Sequence, residues 1–415
     1  MGFENLFNKI TKADYYLILM FILLLISISV KFYFNSSGYL SPDSTNYLLL
    51  AQNLLDNNSF YISNPDVKIK PFTIWPIGYS VLIFLIAKLT GFSVFLASKF
   101  INIAVIFLFI NLFKKEFKEN TYLYVLVFFF ASFIQIYSYS WSESFFIFCI
   151  FWFTKSIYSI IINFHSGVRI YISILFSSLL MFLFRYIGSF SFGIIGLLGL
   201  YYLFFKKERE KSFFLLMIAV FNTLFMFAYL YNNYLETGYY TGIARNFQSH
   251  SSMELFIMLV KSIVSIIIVY SNHVIWKDVA FPLFQVLIIF ILVVKYRKKI
   301  LKNDGDNSKL FFSFVFFIIG LLYLISIALL SCAAYVEELN YRLLAPGSFL
   351  IFIALINYFE NNLLPRYFKI FKIILVSIAF YSWCVNVPYQ VLKDIKNSKP
   401  LQVNLYNSES TFVKK

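Results

Sequence analysis

The sequence predicts an all-α polytopic membrane protein with about eleven transmembrane helices and an amphipathic helical loop on the outer face after the first span. Three observations carry that prediction. Of the 415 residues, 60% are hydrophobic and 22% aromatic, and only 13% are charged; soluble domains carry about twice that share of charge. Mean hydropathy is +0.76. Apolar runs of about 20 residues, the length that crosses hydrocarbon, recur along the whole chain. The net charge of +15 is gathered in short clusters between those runs. That pattern suits loops facing anionic lipid and argues against a nucleic-acid partner. Cys149, Cys332 and Cys384 lie far apart and show neither metal spacing nor a disulfide framework.

The first run, 15–34, is longer than a secretory h-region and no small-residue cleavage site follows it. It reads as an uncleaved span with Lys9 and Lys12 inside. Further spans are expected at 94–113, 120–138, 144–162, 169–186, 187–205, 212–231, 279–294, 310–330, 346–360 and 370–387. Three basic clusters set the sidedness: Lys114, Lys115 and Lys118; Lys206, Lys207, Arg209 and Lys211; and Lys295, Arg297, Lys298, Lys299 and Lys302. All should face the cytoplasm. The N-terminus of a multi-pass protein of the cell (inner or plasma) membrane is then inside and its C-terminus outside.

Two apolar segments break the parity. Trp75 to Leu89 is short for a span, and counting it as a crossing would put Lys114 and Lys115 outside. It is placed at the outer interface, with Pro76 as its first helical residue. Met253 to Tyr270 poses the same problem and is read as interfacial or re-entrant. Residues 1–387 then form the transmembrane domain. Within it, 35–93 is the first extracytoplasmic loop with juxtamembrane helices, and 388–415 forms a short outer tail.

Most uncommon polar residues fall in the outer loops, so any chemistry is expected there. In Ser41-Pro42-Asp43, Ser41 suits a helix N-cap, Pro42 the first helical position and Asp43 the positive end of the helix dipole. Asp43 is also a candidate general base, able to take a proton from an acceptor hydroxyl. The helix it opens, with Tyr47, Leu50, Ala51, Leu54 and Leu55, would hold it rigidly. Glu143, flanked by Trp141, Phe145 and Phe146, is costly at a membrane edge unless paired or solvated. Two crossings separate the acids, so they share a face, where a pair can position an acceptor or bind a cation. Arg185, Arg245 and Arg342 offer bidentate, permanently charged forks suited to phosphate; snorkelling in an aromatic belt is the plainer account of each. Arg342, followed by Leu343, Leu344 and Pro346, is the best placed for a lipid phosphate. His165, His250 and His273 form no metal motif, and there is no phosphate-cradling glycine loop, nucleophile elbow or zinc-protease signature.

The order of these residues resembles the GT-C superfamily of glycosyltransferases, which includes protein mannosyltransferase and aminoarabinose transferase types. The matching residues are Asp43, Tyr47, Ala51, Asn53, Leu54, Pro76, Gly78 and Tyr79, then Glu143. Asn233, Tyr234, Thr237, Gly238 and Arg245, and Tyr341-Arg342 with Pro346, extend the match more loosely. The resemblance is strongest over about 40–145. It implies an enzyme that moves a sugar from a polyprenyl-phosphate carrier to a hydroxyl of a lipid, glycan or protein acceptor on the extracytoplasmic side, with inversion. Asp43 would be the general base and Glu143 the second acid. Arg342, Arg245 and Arg185 would bind the donor phosphate, and Tyr47, Tyr79 and Tyr341 would position substrate. No cofactor is implied with certainty; a divalent cation at the acids stays open. Asp43 is followed by Ser44 where some members have a second acid, and the tail of about 28 residues replaces their large outer domain, so metal dependence and acceptor class stay open too. Two other classes compete. A transporter or flippase of lipid-linked sugars predicts internal repeats and mid-span ionisable residues. An O-antigen polymerase or ligase would not need an acid-led helix after the first span.

Overall fold

The computed structural model describes residues 12–64, 67–162, 167–243, 252–267, 307–333 and 340–397. Nearly all of them are helical, as the apolar runs require: in hydrocarbon only a helix satisfies every backbone group within its own segment. Helix α1 (Lys12–Phe34) begins with Asp14 in its first turn and ends with Lys31 in its last. The side-chain oxygen of Asn35 then accepts from the N–H groups of Ser37 (3.1 Å) and Tyr39 (3.3 Å), closing a turn in which Gly38 (φ 60°) and Tyr39 (φ 54°) are left-handed.

Helix α2 (Pro42–Asn57) starts as its sequence dictates. Ser41 is extended, its hydroxyl accepts from Ser44 N–H, and Pro42 takes the first position. A two-stranded antiparallel hairpin follows, β1 (Tyr61–Asn64) with β2 (Val67–Pro71), a small β element in an otherwise α protein. Asn53 pins it by donating to the Tyr61 carbonyl at 2.6 Å.

Helix α3 (Gly78–Thr90) has 13 residues, hence about 20 Å, short of the ~30 Å hydrocarbon core. It begins two residues later than expected. Pro76 lies before the helix, and the Ile77 N–H, which has no acceptor within the helix, donates to the Tyr229 hydroxyl (3.3 Å). Gly78 then lets the helix touch the chain at Leu183, where a Cβ would sit 2.5 Å from the carbonyl oxygen.

Helix α4 (Val94–Phe117) is followed by a return segment that runs back along it. This consists of α5 (Thr121–Val125), a 3-10 turn (Leu126–Phe129) and α6 (Ala131–Ser138). Phe113 meets Tyr124 at one end (centroids 6.0 Å) and Ser98 meets Ser140 at the other (2.7 Å). The stretch expected to cross at 120–138 therefore runs back along α4, bent at Phe130, whose backbone is extended. The Ala131 N–H freed by the bend is taken by the Ser382 hydroxyl at 2.8 Å, as an interrupted helix at membrane depth demands.

The remaining helices are α7 (Glu143–Ile162), α8 (Val168–Phe184), α9 (Phe190–Tyr201), α10 (Arg209–Thr237), α11 (Ser252–Ile267), α12 (Asn307–Ala333), α13 (Tyr341–Asn362), α14 (Pro365–Asn386) and α15 (Pro388–Asn397). Pro346 lies inside α13, not at its start as the expected span at 346–360 implied. It cannot donate to the Arg342 carbonyl; the neighbouring Leu343 carbonyl is met by the Tyr323 hydroxyl at 3.0 Å. Helix α11 packs against α6, where Ser132 donates to the Ile266 carbonyl (2.8 Å).

Eight helical stretches among the described residues are long and apolar enough to cross a membrane. The expected count of eleven is not reproduced. The 17-residue α8 is shorter, the bent return segment is continuous with α4 by this measure, and 279–294 lies outside the described residues. Phe109 interlocks with Phe128, Phe151 and Phe349 at centroid distances of 5.3, 5.4 and 5.1 Å. This aromatic core joins α4, the return segment, α7 and α13.

Candidate active site

One end of the bundle gathers the polar groups. Here α1 ends, α2 and α7 begin, α6 and α8 end and α13 begins. The opposite end carries Lys114, paired with Asp14 at 2.6 Å, and Glu360, which accepts from Asn120 and Tyr124. Asp43 and the basic residues Lys114 and Lys115 therefore sit at opposite ends, in line with the parity argument.

At the polar end four charged side chains meet. Arg342, in the first turn of α13, donates through a terminal nitrogen to Asp43 Oδ2 at 2.6 Å and through Nε to Glu143 Oε1. Arg185, extended at the C-terminal end of α8, donates to the same Glu143 oxygen. One guanidinium thus links acids from α2 and α7, and the four formal charges sum to zero. Glu143 is completely buried and the Asp43 side chain is 20% exposed. Glu143 is therefore the paired, desolvated acid and not the solvated interfacial one. The Arg342 guanidinium stacks over the Trp141 ring (4.4 Å). Trp141 in turn stacks on Tyr139 at 4.0 Å and donates its indole N–H to Ser41 Oγ at 2.7 Å. Hence the cap of α2 is bonded directly to the loop that carries Glu143.

Tyr47, one turn beyond Asp43, lies in the buried wall. Its hydroxyl is 3.2 Å from Ser142 Oγ, which is 3.5 Å from Glu143 Oε2. Burial above all, with nearby Glu143 and Asp43, pushes the Tyr47 phenol above its ordinary pKa, so it is neutral. Tyr79 meets Tyr47 edge-on at 5.2 Å, and its own buried hydroxyl has no hydrogen-bond partner among the described residues. Tyr341 sits in the turn that presents Arg342, behind the Asn340 cap that accepts from Leu343 N–H. Arg245 lies outside the described residues.

A second loop closes over the first. Tyr186 donates to the Thr73 carbonyl (2.7 Å), and Asn233 donates to the Tyr186 hydroxyl (3.0 Å) and to the Tyr240 carbonyl (3.1 Å). Tyr61 donates to Glu236 at 3.1 Å. Gly242, left-handed at φ 74°, packs so closely on Thr73 that a Cβ would overlap it.

The sequence reading missed two buried lysines at this end. Lys31 donates to the Asn386 carbonyl (2.9 Å) and Lys99 to the Ser138 and Tyr39 carbonyls (2.7 and 3.4 Å). Each lysine breaks an apolar run, and Lys99 has Ser98 and Asn102 on the same helix face, a signal that was legible. Among the described residues no group of three or more His, Cys, Asp or Glu is arranged to hold a metal ion. A divalent cation bridging Asp43 and Glu143 would have to displace Arg342.

No protein-family model and no curated protein sequence matches the chain. Solved structures do. The apo structure of ArnT from Cupriavidus metallidurans superposes with a TM-score of 0.50 at 10% identity, covering 83% of this chain and 60% of that one. The structure of the same protein bound to undecaprenyl phosphate gives 0.51 at 11% identity, covering 81% and 59%. The chain thus spans about 60% of the length of the solved proteins it matches. The likeness is one of fold: the protein is an all-α polytopic membrane protein with the fold of these ArnT structures.

Proposed function

We propose that the protein is an integral membrane glycosyltransferase that moves a sugar from a polyprenyl-phosphate carrier to a hydroxyl acceptor. The observation that carries this reading is the single guanidinium of Arg342 bonded to both Asp43 and Glu143. It joins a base, a second acid and a phosphate-binding group at one spot. The GT-C-like fold supports it, as does the undecaprenyl phosphate held by a solved structural neighbour.

The chemistry follows from the charges. The acceptor oxygen attacks the anomeric carbon and Asp43 takes its proton. The bond from that carbon to the phosphate oxygen breaks, and the electron pair leaves with the polyprenyl phosphate. Attack opposite the leaving group inverts the anomeric centre. Negative charge grows on the phosphate, where Arg342, Arg185 and Arg245 would be aimed. Asp43 is the more exposed acid and opens a rigid helix, which suits a base that must meet an incoming hydroxyl. Glu143, buried between two guanidiniums, stays ionised and holds Arg342 in place. Tyr341 would position substrate from the turn beside Arg342, and the buried Tyr47 and Tyr79 would do so from the wall behind Asp43. The site would act at the extracytoplasmic face of the cell membrane, on a lipid, glycan or protein hydroxyl.

The test begins with mass analysis of surface polysaccharide, lipid and protein glycans in a deletion strain, followed by transfer assays with undecaprenyl-phosphate sugars. Asp43→Asn should lower turnover about 10²-fold or more while undecaprenyl phosphate still binds. An unchanged glycan profile under expressing conditions, or full turnover by Asp43→Asn, would overturn the reading.

A further inference from the structure

We propose that Lys99 is a positioning residue that sets the separation of the two acids by tying together the chain segments that precede them; the proposal rests on reading Asp43 as the base. Lys99 lies on a polar stripe of α4, a helix whose other side chains are apolar as far as Asn111. On that stripe Asn102 donates to the Tyr137 and Tyr139 carbonyls (2.9 and 2.7 Å) and accepts from Ser144 (2.6 Å), while Ser98 lies 2.7 Å from Ser140. These bonds clamp the loop between α6 and α7, which carries Trp141 and Glu143. Lys99 adds a bond to the Ser138 carbonyl, at the end of α6 where the helix dipole favours a cation.

The same ammonium also reaches the Tyr39 carbonyl at 3.4 Å. Tyr39 stands four residues before Asp43 and Ser138 five before Glu143, so one nitrogen holds both approaches. Tyr39 is held in a left-handed conformation (φ 54°), which bulky side chains disfavour and which is kept where the surroundings over-determine it. Those surroundings are explicit. Lys99 holds its carbonyl, the Lys31 ammonium lies 4.9 Å from its ring, and Tyr139 packs edge-on at 4.9 Å.

Lys99 is an expensive residue for a helix cap. It is 2% exposed, and among the described residues no carboxylate lies within salt-bridge distance of it. Its charge is met by two carbonyls and by the Phe95 and Phe32 rings at 5.1 and 5.7 Å. A neutral donor would cap Ser138 with less desolvation. A buried ionisable side chain within the membrane region is a candidate for function, and the function its donors can serve here is to hold two backbone oxygens from different loops at one point.

Two readouts separate positioning from bulk stability. In wild-type protein and Lys99→Met, carboxyl groups are labelled with a water-soluble carbodiimide and Asp43 is quantified by peptide mass spectrometry. Loosening the clamp should release Asp43 from Arg342 and raise its labelling at least threefold, with no change at exposed Asp56. In transfer assays with an undecaprenyl-phosphate sugar, Lys99→Met should lower kcat at least tenfold with KM within twofold of wild type. Lys99→Arg, which keeps the charge and donors, should restore most of it. In an Asp43→Asn background, Lys99→Met should cause no further loss. Should Lys99→Met fail to fold, Tyr39→Gly keeps the carbonyl but removes the ring contacts and frees the turn, and it should raise Asp43 labelling equally. Unchanged Asp43 labelling, a loss seen in KM alone, or losses that multiply with Asp43→Asn would overturn the proposal. A wild-type protein that transfers no sugar would refute the functional reading instead, and the labelling result would still decide the role of Lys99.

Discussion

Replacing Glu143 with Gln leaves the shape of the site nearly intact but changes its charge from balanced to +1. In the native cluster Asp43 and Glu143 offset Arg185 and Arg342. After Glu143→Gln, Asp43 alone faces two guanidiniums, and it is bonded to Arg342 only. Breaking a buried ion pair on one side costs about 3–5 kcal/mol. The lower figure applies here, because a glutamine oxygen still accepts one bond and the Arg185 side chain is 15% exposed, which lets water screen part of its charge. About 3 kcal/mol corresponds to a shift of roughly 150-fold in the folding equilibrium. Unfolding in mixed micelles of increasing SDS fraction, followed by tryptophan emission, measures the loss. The decisive comparison is the double variant. Adding Arg342→Met to Glu143→Gln removes the unbalanced charge, so the double variant should lose clearly less than the sum of the two single variants, although the stacking of the buried Arg342 on Trp141, worth about 2 kcal/mol, goes with it. If Glu143→Gln is within 0.5 kcal/mol of wild type, or if the two losses simply add, the cluster is not held by charge balance.

Tyr47→Phe removes the contact with Ser142, a bond worth about 1 kcal/mol; turnover should fall about fivefold. Because burial keeps the Tyr47 phenol protonated at pH values where an exposed tyrosine would begin to ionise, the pH–rate profile of that variant between pH 6 and 9 should run parallel to that of wild type. Gly78→Ala drives a methyl group into the Leu183 carbonyl and should cost about 1–3 kcal/mol, read as a lower midpoint in the same SDS titration; a wild-type midpoint would show that α3 can move away from α8 at no cost.

The features that sequence disclosed are those with local causes. An apolar run long enough to cross hydrocarbon forms a helix whatever surrounds it, and Ser41-Pro42-Asp43 starts α2 because cap, ring and carboxylate act within one turn. The hairpin at β1 and β2 had a local signal too, alternating residues around Asn64-Pro65-Asp66, but its length is small beside the helices that flank it. The site itself was legible as a set of residue types on one face, not as a set of partners. That Arg342 and Arg185 spend their donors on Glu143 depends on α8 running antiparallel and α13 parallel to α7, which no spacing records. Lys99 was marked by the polar stripe it shares with Ser98 and Asn102, but its meaning comes from the carbonyls opposite it, which no spacing discloses. The bend at Phe130 was hidden for a similar reason, since neither proline nor glycine marks it.

That bend has a consequence for how the chain is made. The hydroxyl that completes it belongs to Ser382, 251 residues downstream of Ala131. At about 5–20 residues per second, a ribosome needs roughly 13–50 s to synthesise the intervening chain. Throughout that interval the exposed amide must be shielded by the insertion machinery or by water. The protein's biogenesis is therefore expected to pause with its early hairpin unfinished and to lock only when the last helices arrive.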